Sequence, residues 1–231
     1  DYVDFTLTSP GDWQPPAIIN EELAYIIGLF IAEGSYSYGK LVIYNVDQEI
    51  IDKLISNTLG LNFIHEPEFQ RISLCNVRFI EFLRLIGFPE QTSAESKFIP
   101  RKMLRCSKNI ISCMISGMFD GDGHSRKLDG NVGYTSCSRF LLEQLKMILL
   151  NFGMLTKEHE DKRTIRDFGD YVSNIQPSWQ LELPTESSKL FYDIIGFGLT
   201  RKQNNKQFLK KSQETLYGIS DRFHSLYQKY G

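Results

Sequence analysis

The sequence predicts an α+β protein made of two related halves that meet at a central pair of helices. Residues 26–34 and 115–123 are near copies, and each copy ends in an acid followed by a glycine. The similarity continues through the segments that follow, which marks an internal duplication. Short β-type segments occur in hairpin order in both halves, and consecutive hairpins favour antiparallel sheets.

Each copy of the repeat has the start and stop signals of one complete helix. An asparagine, Asn20 or Asn109, lies thirteen residues before each acid, and asparagine is a good N-cap residue. The glycine after each acid is the residue favoured just beyond a helix end. We therefore predict two helices that end at Glu33 and Asp122.

Small residues on one face of each helix predict that the two helices pack against each other. Gly28 and Ala32 lie four residues apart, and Gly117 and Gly121 repeat this spacing. Small residues at that spacing let two helix backbones approach closely. Glycine inside a helix costs about 1 kcal/mol relative to alanine, so a close contact has to offset that cost.

The two acids lie at electrostatically unfavourable positions. A carboxylate in the last helical turn faces the negative end of the helix dipole, at a cost of about 0.3–1 kcal/mol. Two carboxylates brought together also repel, and one of them tends to hold a proton. A divalent cation removes both conflicts, and Mg²⁺ prefers carboxylate, water and phosphate oxygens. Because the arrangement occurs twice, we interpret Glu33 and Asp122 as functional residues rather than two solvated helix ends.

The remaining elements follow in the same order in both halves: helix, hairpin, helix, two strands, helix. The predicted hairpins cover residues 35–44 and 124–134, the second with an Asp-Gly turn. Amphipathic patterns predict helices at Gln48–Leu59 and Arg139–Phe152. The β-rich segments are Leu61–Cys75 and Met154–Leu183, and the last helices end at the phrases Ile-Gly-Phe around Gly87 and Gly196.

The spacing between the halves sets the predicted domain boundaries. The offset grows from 89 residues at the acids to 109 at Gly87 and Gly196, so the second half has about twenty extra residues. Much of the excess falls in the polar stretch Asp161–Pro177, which we interpret as a long loop. We divide the chain into an N-terminal arm, a first half with linker, a second half and a C-terminal helical tail, at 1–19, 20–108, 109–211 and 212–231.

The composition fits a globular protein and argues against a strongly basic one. The chain has 231 residues, of which 42% are hydrophobic, and no apolar run is long enough for a transmembrane helix. The net charge of −2 and pI of about 6.1 count against a typical nucleic-acid binder. Positive charge is nevertheless clustered, since residues 97–108 carry five basic side chains and no acid.

Cysteine usage and the N-terminal sequence predict an intracellular protein. The four cysteines form no CxxC pair, and the four histidines show no zinc-ligand spacing. We expect reduced thiols packed in the core, as is usual in a reducing compartment. Residues 1–22 carry five acids and no Lys or Arg, which is unlike a signal or transit peptide.

Both copies of the repeat resemble the LAGLIDADG motif of homing endonucleases. Glu33 and Asp122 match the acidic eighth residue, which in that family binds the catalytic metal, and Gly34 and Gly123 beside them match the ninth. Asp120 matches the sixth residue, which the first copy replaces with an isoleucine. The resemblance implies a pseudo-twofold protein in which saddle-shaped antiparallel sheets rest on a central pair of LAGLIDADG helices.

The resemblance also implies an activity. It implies a single-chain, two-motif enzyme of the intein or intron type that hydrolyses both strands of a long double-stranded DNA target with Mg²⁺, leaving 3′ overhangs. The unequal halves indicate a target that is not a perfect palindrome. The resemblance further implies that Mn²⁺ or Ca²⁺ can replace Mg²⁺ for binding. We expect a monomer with no obligate protein partner and no membrane partner. The alternative is a catalytically silent relative that binds nucleic acid as a maturase or regulator.

A lysine from each half lies near the metal site in that family. The phrase Lys97-Phe98-Ile99-Pro100 resembles the lysine-bearing KxIP segment of intein-type members. Lys97 lies ten residues after Gly87, and Lys206 lies ten residues after Gly196, so Lys206 is the internal counterpart, with Lys202 as its main competitor. An ammonium there would stabilise transition-state charge or help to deprotonate water.

DNA contact would fall to the strands, because a two-stranded ribbon fits the major groove and alternate side chains share one face. The candidates in the first half are Ser35, Ser37, Lys40, Tyr44, Arg71 and Ser73. The candidates in the second half are Ser125, Lys127, Tyr134, Lys157, Lys162, Arg163 and Arg166. The sequence leaves open whether the basic residues among them read bases or hold phosphates.

Overall fold

The structure is a computed structural model that describes residues 6–37, 39–90, 93–161, 165–167, 172–174 and 176–210. Of the two three-residue segments only the backbone is described. The first half has the predicted element order. Its elements are α1 (Glu21–Glu33), β1 (Gly34–Ser37), β2 (Lys40–Ile43), α2 (Gln48–Ile55), β3 (Phe63–Glu66), β4 (Arg71–Leu74) and α3 (Val77–Ile86).

The second half repeats this order with an insertion. Its elements are α4 (Lys108–Gly121), β5 (Gly123–Ser125), β6 (Val132–Ser136), α5 (Arg139–Asn151), β7 (Lys157–Asp161), β8 (Ile165–Asp167), β9 (Val172–Asn174), β10 (Ser178–Glu182), α6 (Thr185–Ile194) and the short α7 (Thr200–Gln203). Strands β8 and β9 pair with each other, so the stretch interpreted as a long loop contains a small hairpin. The predicted C-terminal helix at 212–231 lies outside the described residues.

Each half contributes one four-stranded antiparallel sheet. The strand orders are β1-β2-β4-β3 and β5-β6-β10-β7. In the first sheet Gly34 pairs with Ile43, Ile43 with Ile72 and Ile72 with His65, and this row begins directly after the acid that ends α1. The predicted α+β fold of two antiparallel halves on a central helix pair is therefore confirmed.

The central helices α1 and α4 touch through their backbones. A Cβ added at Gly28 would lie 2.0 Å from the carbonyl oxygen of Met114, and one added at Gly117 would lie 2.2 Å from that of Tyr25. Real Cβ atoms essentially never lie so close to other atoms. The small residues therefore allow the backbones of α1 and α4 to approach closely, and this packing offsets the poor helix propensity of glycine.

The helix ends differ from the prediction in two details. Asn20 caps α1 by accepting from the backbone N–H of Leu23 at 2.9 Å, but α4 starts earlier than predicted. Its N-cap is Ser107, and Asn109 instead donates to Glu21 of α1 at 2.6 Å. Gly34 has an extended φ of −80°, so it is not a left-handed cap. It is glycine because a Cβ there would overlap the Phe30 ring.

The core lies between the helix pair and the inner faces of both sheets. Phe119 of α4 is fully buried, with the ring centroids of Phe191 at 4.5 Å and Tyr134 at 5.1 Å. The N-terminal arm joins the core through Trp13, whose ring meets Phe79 edge-on at 5.3 Å. Among the described residues, every helix is too short or too polar to span a membrane.

The prediction that the four cysteines pack in the core is wrong for Cys75, whereas Cys106 and Cys113 pack against the core from partly buried positions. Cys75 is exposed, and Cys106, Cys113 and Cys137 are half-buried free thiols. Cys75, Cys106 and Cys137 lie in loops beside a helix or strand end, and Cys113 lies within α4.

Candidate active site

The two acids meet where the central helices end. Glu33 is the last residue of α1, and Asp122 caps α4. A Cβ added at Gly121 would lie 3.2 Å from Glu33 Cγ, so the Glu33 side chain lies against the last turn of α4. Burial, with the neighbouring charge of Asp122, raises the pKa of Glu33 to about 7, although a hydrogen bond from Asn45 opposes the shift.

Asn45 holds Glu33 in place. Its Nδ2 donates to Glu33 Oε2 at 2.6 Å, and its Oδ1 accepts from the backbone N–H of Asp47 at 2.7 Å. Asn45 is itself buried. Sequence reasoning missed this residue, because an asparagine between a strand and a helix is usually a turn residue. Only the return of β2 to the end of α1 shows its partner.

Lys97 reaches Asp122 across the boundary between the halves. Its Nζ lies 3.9 Å from Asp122 Oδ2. Its carbonyl accepts from the Ser138 hydroxyl at 2.6 Å, so the second half also holds the backbone of this first-half segment. Burial raises the pKa of Asp122, and the charges of Lys97 and Lys202 oppose the shift.

Lys202, rather than Lys206, contacts the end of α4. Its Nζ is buried and donates to the carbonyl oxygens of Phe119, Asp120 and Gly123 at 2.9, 2.7 and 2.6 Å. Lys206 instead forms an ion pair with Asp193 at 2.5 Å, with both side chains nearly half exposed. The count of ten residues failed because α7 turns Lys202 inward, and the next turn carries Lys206 outward.

Asp120, at the sixth motif position, joins the two halves. It is 1% exposed and accepts from the Tyr25 hydroxyl at 2.6 Å and from the backbone N–H of Leu199 at 3.1 Å. Burial raises the pKa of Asp120, and these hydrogen bonds oppose the shift. Because Asp120 is hydrogen-bonded to residues of both halves, we interpret it as a structural residue of the interface between the halves.

The outer face of each sheet is the face opposite the one that packs into the core. In the first sheet, alternation along the strands places all six predicted DNA-contact side chains on the outer face. The prediction that Ser73 contacts DNA is wrong, because this residue is buried beneath its neighbours and only 1% exposed. Tyr44, just past β2, is exposed.

In the second sheet two predicted DNA contacts are wrong. Ser125 faces inward, and its hydroxyl donates to the Lys202 carbonyl at 2.9 Å. Tyr134 is fully buried against Phe119 beside the acids, and burial with the charges of Asp122 and Glu33 raises its pKa. The hydrophobic pattern of these short strands was insufficient to determine which side chains face outward.

The other predicted contacts in the second half fall into two groups. Lys127 and Lys157 are exposed. Lys162 and Arg163 lie outside the described residues, and Arg166 belongs to β8, where only the backbone is described.

Sequence reasoning missed several residues of the outer face in the second half. His124 and Gln180 meet there at 3.1 Å, and the His124 ring covers Gly133. Arg126 directly follows β5, the strand that contains His124. Knowledge of the strand register would have identified all three.

The residues at the helix ends fit a hard divalent cation. Two carboxylates, each with a pKa raised by burial, converge beside backbone carbonyl groups. Within the described ranges no three His, Cys, Asp or Glu side chains cluster as a closed metal cage. Mg²⁺ keeps several waters and usually binds through one or two carboxylates plus phosphate oxygens.

Comparison with known proteins supports the resemblance to LAGLIDADG proteins. Residues 109–196 match the LAGLIDADG-like domain. In the solved structures, the chain resembles mesophilic variants of the homing endonuclease I-DmoI, with a TM-score of 0.50, 16% identity and coverage of 76% of this chain and 95% of that one. It also resembles full-length DUF199/WhiA from Thermatoga maritima, with a TM-score of 0.52, 11% identity and coverage of 93% and 69%. The match over residues 109–196 supports the resemblance to LAGLIDADG proteins, and the solved structures share the fold of this chain.

Curated relatives match most of this chain but only a small part of their own length. The probable translation initiation factor IF-2 of Thermococcus kodakarensis is 29% identical, over 90% of this chain and 16% of that protein. The DNA-directed RNA polymerase component Rpo1C of Methanocaldococcus jannaschii is 25% identical, over 84% and 21%. The ATP-dependent DNA helicase Hel308 of Thermococcus kodakarensis is 26% identical, over 80% and 17%. The chain therefore spans between about a sixth and about a fifth of the length of these relatives.

Proposed function

We propose that the protein is a site-specific endonuclease that hydrolyses both strands of a long, imperfectly palindromic double-stranded DNA target with Mg²⁺, leaving 3′ overhangs. The observation that carries this proposal is the meeting of Glu33 and Asp122 at the ends of two duplicated helices. Their mutual repulsion and burial are unfavourable in the protein alone, and a cation between DNA and protein would remove that cost.

The side chains around the acids have separate parts in this proposal. Glu33 and Asp122 would hold Mg²⁺, which would supply an activated water and charge stabilisation at the scissile phosphate. Asn45 orients Glu33 through its 2.6 Å hydrogen bond. Lys97 has a cationic group beside Asp122 that could stabilise developing negative charge. Lys202 donates to the carbonyl oxygens of Asp120 and Gly123, which lie on either side of Asp122 in the chain, so it would position that acid.

The names of the relatives support an origin as a mobile insert, an intein or an intron product. An initiation factor, an RNA polymerase component and a DNA helicase have unlike activities, yet each contains a stretch similar to this chain. A segment common to such different proteins, and covering a minor part of each, is better explained as an inserted unit than as part of their activities.

A second candidate is a family member that binds nucleic acid without cutting it. The similarity to WhiA covers 93% of this chain, so the same fold occurs in a protein that does not bear the name of an endonuclease. A fold alone does not determine an activity. The presence of both acids, with Lys97 beside Asp122, favours cleavage.

The test uses a candidate target made by joining the genomic flanks of the gene without the insert. A plasmid with that junction is incubated with Mg²⁺ and wild-type protein, Glu33→Gln, Asp122→Asn or the surface control Glu143→Gln. We expect wild type and control to cut both strands. Each acid variant should lose at least about a hundredfold in double-strand cleavage and still bind the duplex, because a metal ligand is missing.

Two results would contradict the proposal. Cleavage by either acid variant at the wild-type rate would rule out the metal-site assignment. Tight binding without cleavage by wild-type protein would favour the silent binder instead.

A further inference from the structure

One arginine on the outer face of the first sheet is held unusually firmly. Arg71, at the start of β4, pairs across the strands with Glu66, and its Nε donates to Glu66 Oε2. Its guanidinium carbon lies 4.7 Å from the centre of the Phe69 ring. Lys40 Nζ lies 3.7 Å from the other oxygen of Glu66. An edge and a face of the guanidinium are thus both constrained.

The pair is less exposed than ordinary surface ion pairs of this protein. The Arg71 and Glu66 side chains are 24% and 19% exposed, whereas those of Arg139 and Glu143 on α5 are 64% and 57% exposed. The hydrogen bond from Arg71 also holds the pKa of Glu66 below its ordinary value. Glu66 therefore remains charged on a surface that would face DNA phosphates.

A carboxylate at that place needs an explanation. It repels phosphate and cancels the attraction that Arg71 or Lys40 would otherwise exert, so it weakens sequence-independent binding. Guanine, in contrast, is read by an arginine that offers two donors in a fixed plane. A planar side chain that is already oriented loses less freedom on binding. The Glu66 bond uses Nε and does not consume the terminal Nη atoms.

We propose that Glu66 is a positioning residue that turns Arg71 into a guanine reader rather than a phosphate contact. This inference rests on the proposed function as a site-specific DNA-binding protein. Arg71 lies one residue from the strand row that begins after Glu33. The guanine should therefore lie at the end of the half-site near the scissile phosphates, and not at its outer end.

The second sheet offers a matched control. Arg126 donates through Nε and Nη2 to both oxygens of Asp129 at 3.0 and 2.9 Å, and through Nη2 to Glu182 at 2.5 Å. Glu182→Gln removes one negative charge from an outer face, as Glu66→Gln does. It leaves Arg126 held by Asp129, so it changes charge without freeing an arginine.

The experiment is binding-site selection from a duplex library with randomised bases, with a chelator present so that bound duplexes stay intact. Wild type is compared with Arg71→Lys, Glu66→Gln, Glu182→Gln and Phe69→Leu. Thermal unfolding monitors folding. Phe69 is exposed, so Phe69→Leu weakens the hold on Arg71 even where Glu66→Gln fails to fold.

We expect wild type to enrich a guanine at one position near the centre of the site. Arg71→Lys and Glu66→Gln should each lower the preference at that single position by about tenfold, within the range of one bidentate contact. Phe69→Leu should lower it less, and Glu182→Gln should retain it. The double variant Arg71→Lys with Glu66→Gln should lose no more than either single variant.

Three results would overturn the inference. Glu66→Gln could keep the guanine preference, which would mean that Arg71 needs no positioning. Glu66→Gln and Arg71→Lys could weaken all sequences uniformly, as expected for a phosphate contact. Glu66→Gln could relax a cytosine position that Arg71→Lys leaves intact, which would make Glu66 a direct reader. A wild type that enriches no sequence would instead contradict the proposed function itself.

Discussion

The surroundings of Glu33 have opposing effects on the pKa of its carboxylate, and a bound cation would favour the charged form. Burial and the charge of Asp122 both favour its neutral form, whereas Asn45 favours the charged form. The resulting pKa of about 7 means that, without a cation, a large fraction of Glu33 is protonated near neutral pH. Metal binding needs the carboxylate, so it should release a proton from this site.

The first prediction concerns the pH dependence of stability. The pKa of Glu33 is about 7 in the folded protein, against an ordinary value of 4.5, so the folded state holds the proton more tightly than the unfolded state. The free energy of unfolding should therefore fall as pH rises from about 4.5 through about 7, by about 3 kcal/mol from Glu33 alone. Glu33→Gln should remove this fall.

Chemical unfolding in a chelator across that pH range measures the effect. Glu143→Gln is the control, because its exposed carboxylate lies on the surface of α5. Adding Mg²⁺ to wild type above pH 7 should restore much of the lost stability if the cation binds the carboxylate. Parallel pH profiles for wild type and Glu33→Gln would contradict the assignment.

The two lysines show the limit of counting residues. Lys97 was predicted from a local phrase and lies 3.9 Å from Asp122. Lys206 was predicted from its distance to Gly196, but Lys202 contacts the end of α4. The short helix α7 lies between Gly196 and Lys206 and contains Lys202. The way α7 packs on the rest of the half determines which of the two lysines points inward.

At the scale of elements, the central helix pair determines where the acids meet. Gly28 and Gly117 allow the backbones of α1 and α4 to touch, and Gly121 lies against Ala32 and Glu33 near the site. A shift of either helix would separate the carboxylates. Packing and the candidate chemistry therefore depend on the same glycines.

The second prediction tests that packing. Gly117→Ala would place a methyl group 2.2 Å from the Tyr25 carbonyl oxygen, so we expect a loss of more than about 2 kcal/mol in the free energy of unfolding. In an isolated helix the same change would stabilise by about 1 kcal/mol. Chemical denaturation measures the difference.

Gly153→Ala is the matched control. Gly153 has a φ of +80° with open space around it, so alanine there brings backbone strain of about 1 kcal/mol and no overlap. A Gly117→Ala variant as stable as wild type would show that the helices do not approach this closely.

At the scale of the whole molecule, each half holds a segment of the other. Gln144 of α5 bonds both the N–H and the carbonyl of Ile99, at 2.8 and 3.0 Å. In the opposite direction, Arg201 pairs with Asp47 at 2.9 and 2.6 Å. These contacts fasten both lysine-bearing segments to the opposite half.

The third prediction follows from the fusion of both halves in one chain. One chain supplies both acids, so we expect one protein molecule for each DNA duplex at saturation. Sedimentation of the complex, with the flank-junction duplex as ligand, measures the ratio. Two chains per duplex would show that the site is completed between molecules, and would contradict a self-sufficient monomer.

The sequence by itself determined the duplication, the order of elements and the acids that end the central helices. Those features are local, because caps, hydrophobic periods and small-residue spacing act within a few turns of chain. The helix bounds were close, although α2 ends at Ile55 rather than at the predicted Leu59, and Asn109 proved not to be a cap.

The tertiary structure decided which side chains share a surface. Asn45 meets Glu33 only because β2 returns to the end of α1, and Tyr134 is buried although its strand was expected to face DNA. Strand register, the turn of α7 and the contacts between halves depend on residues far apart in sequence. A one-residue slip in register reverses every side chain of a strand, so these features came from the packed molecule.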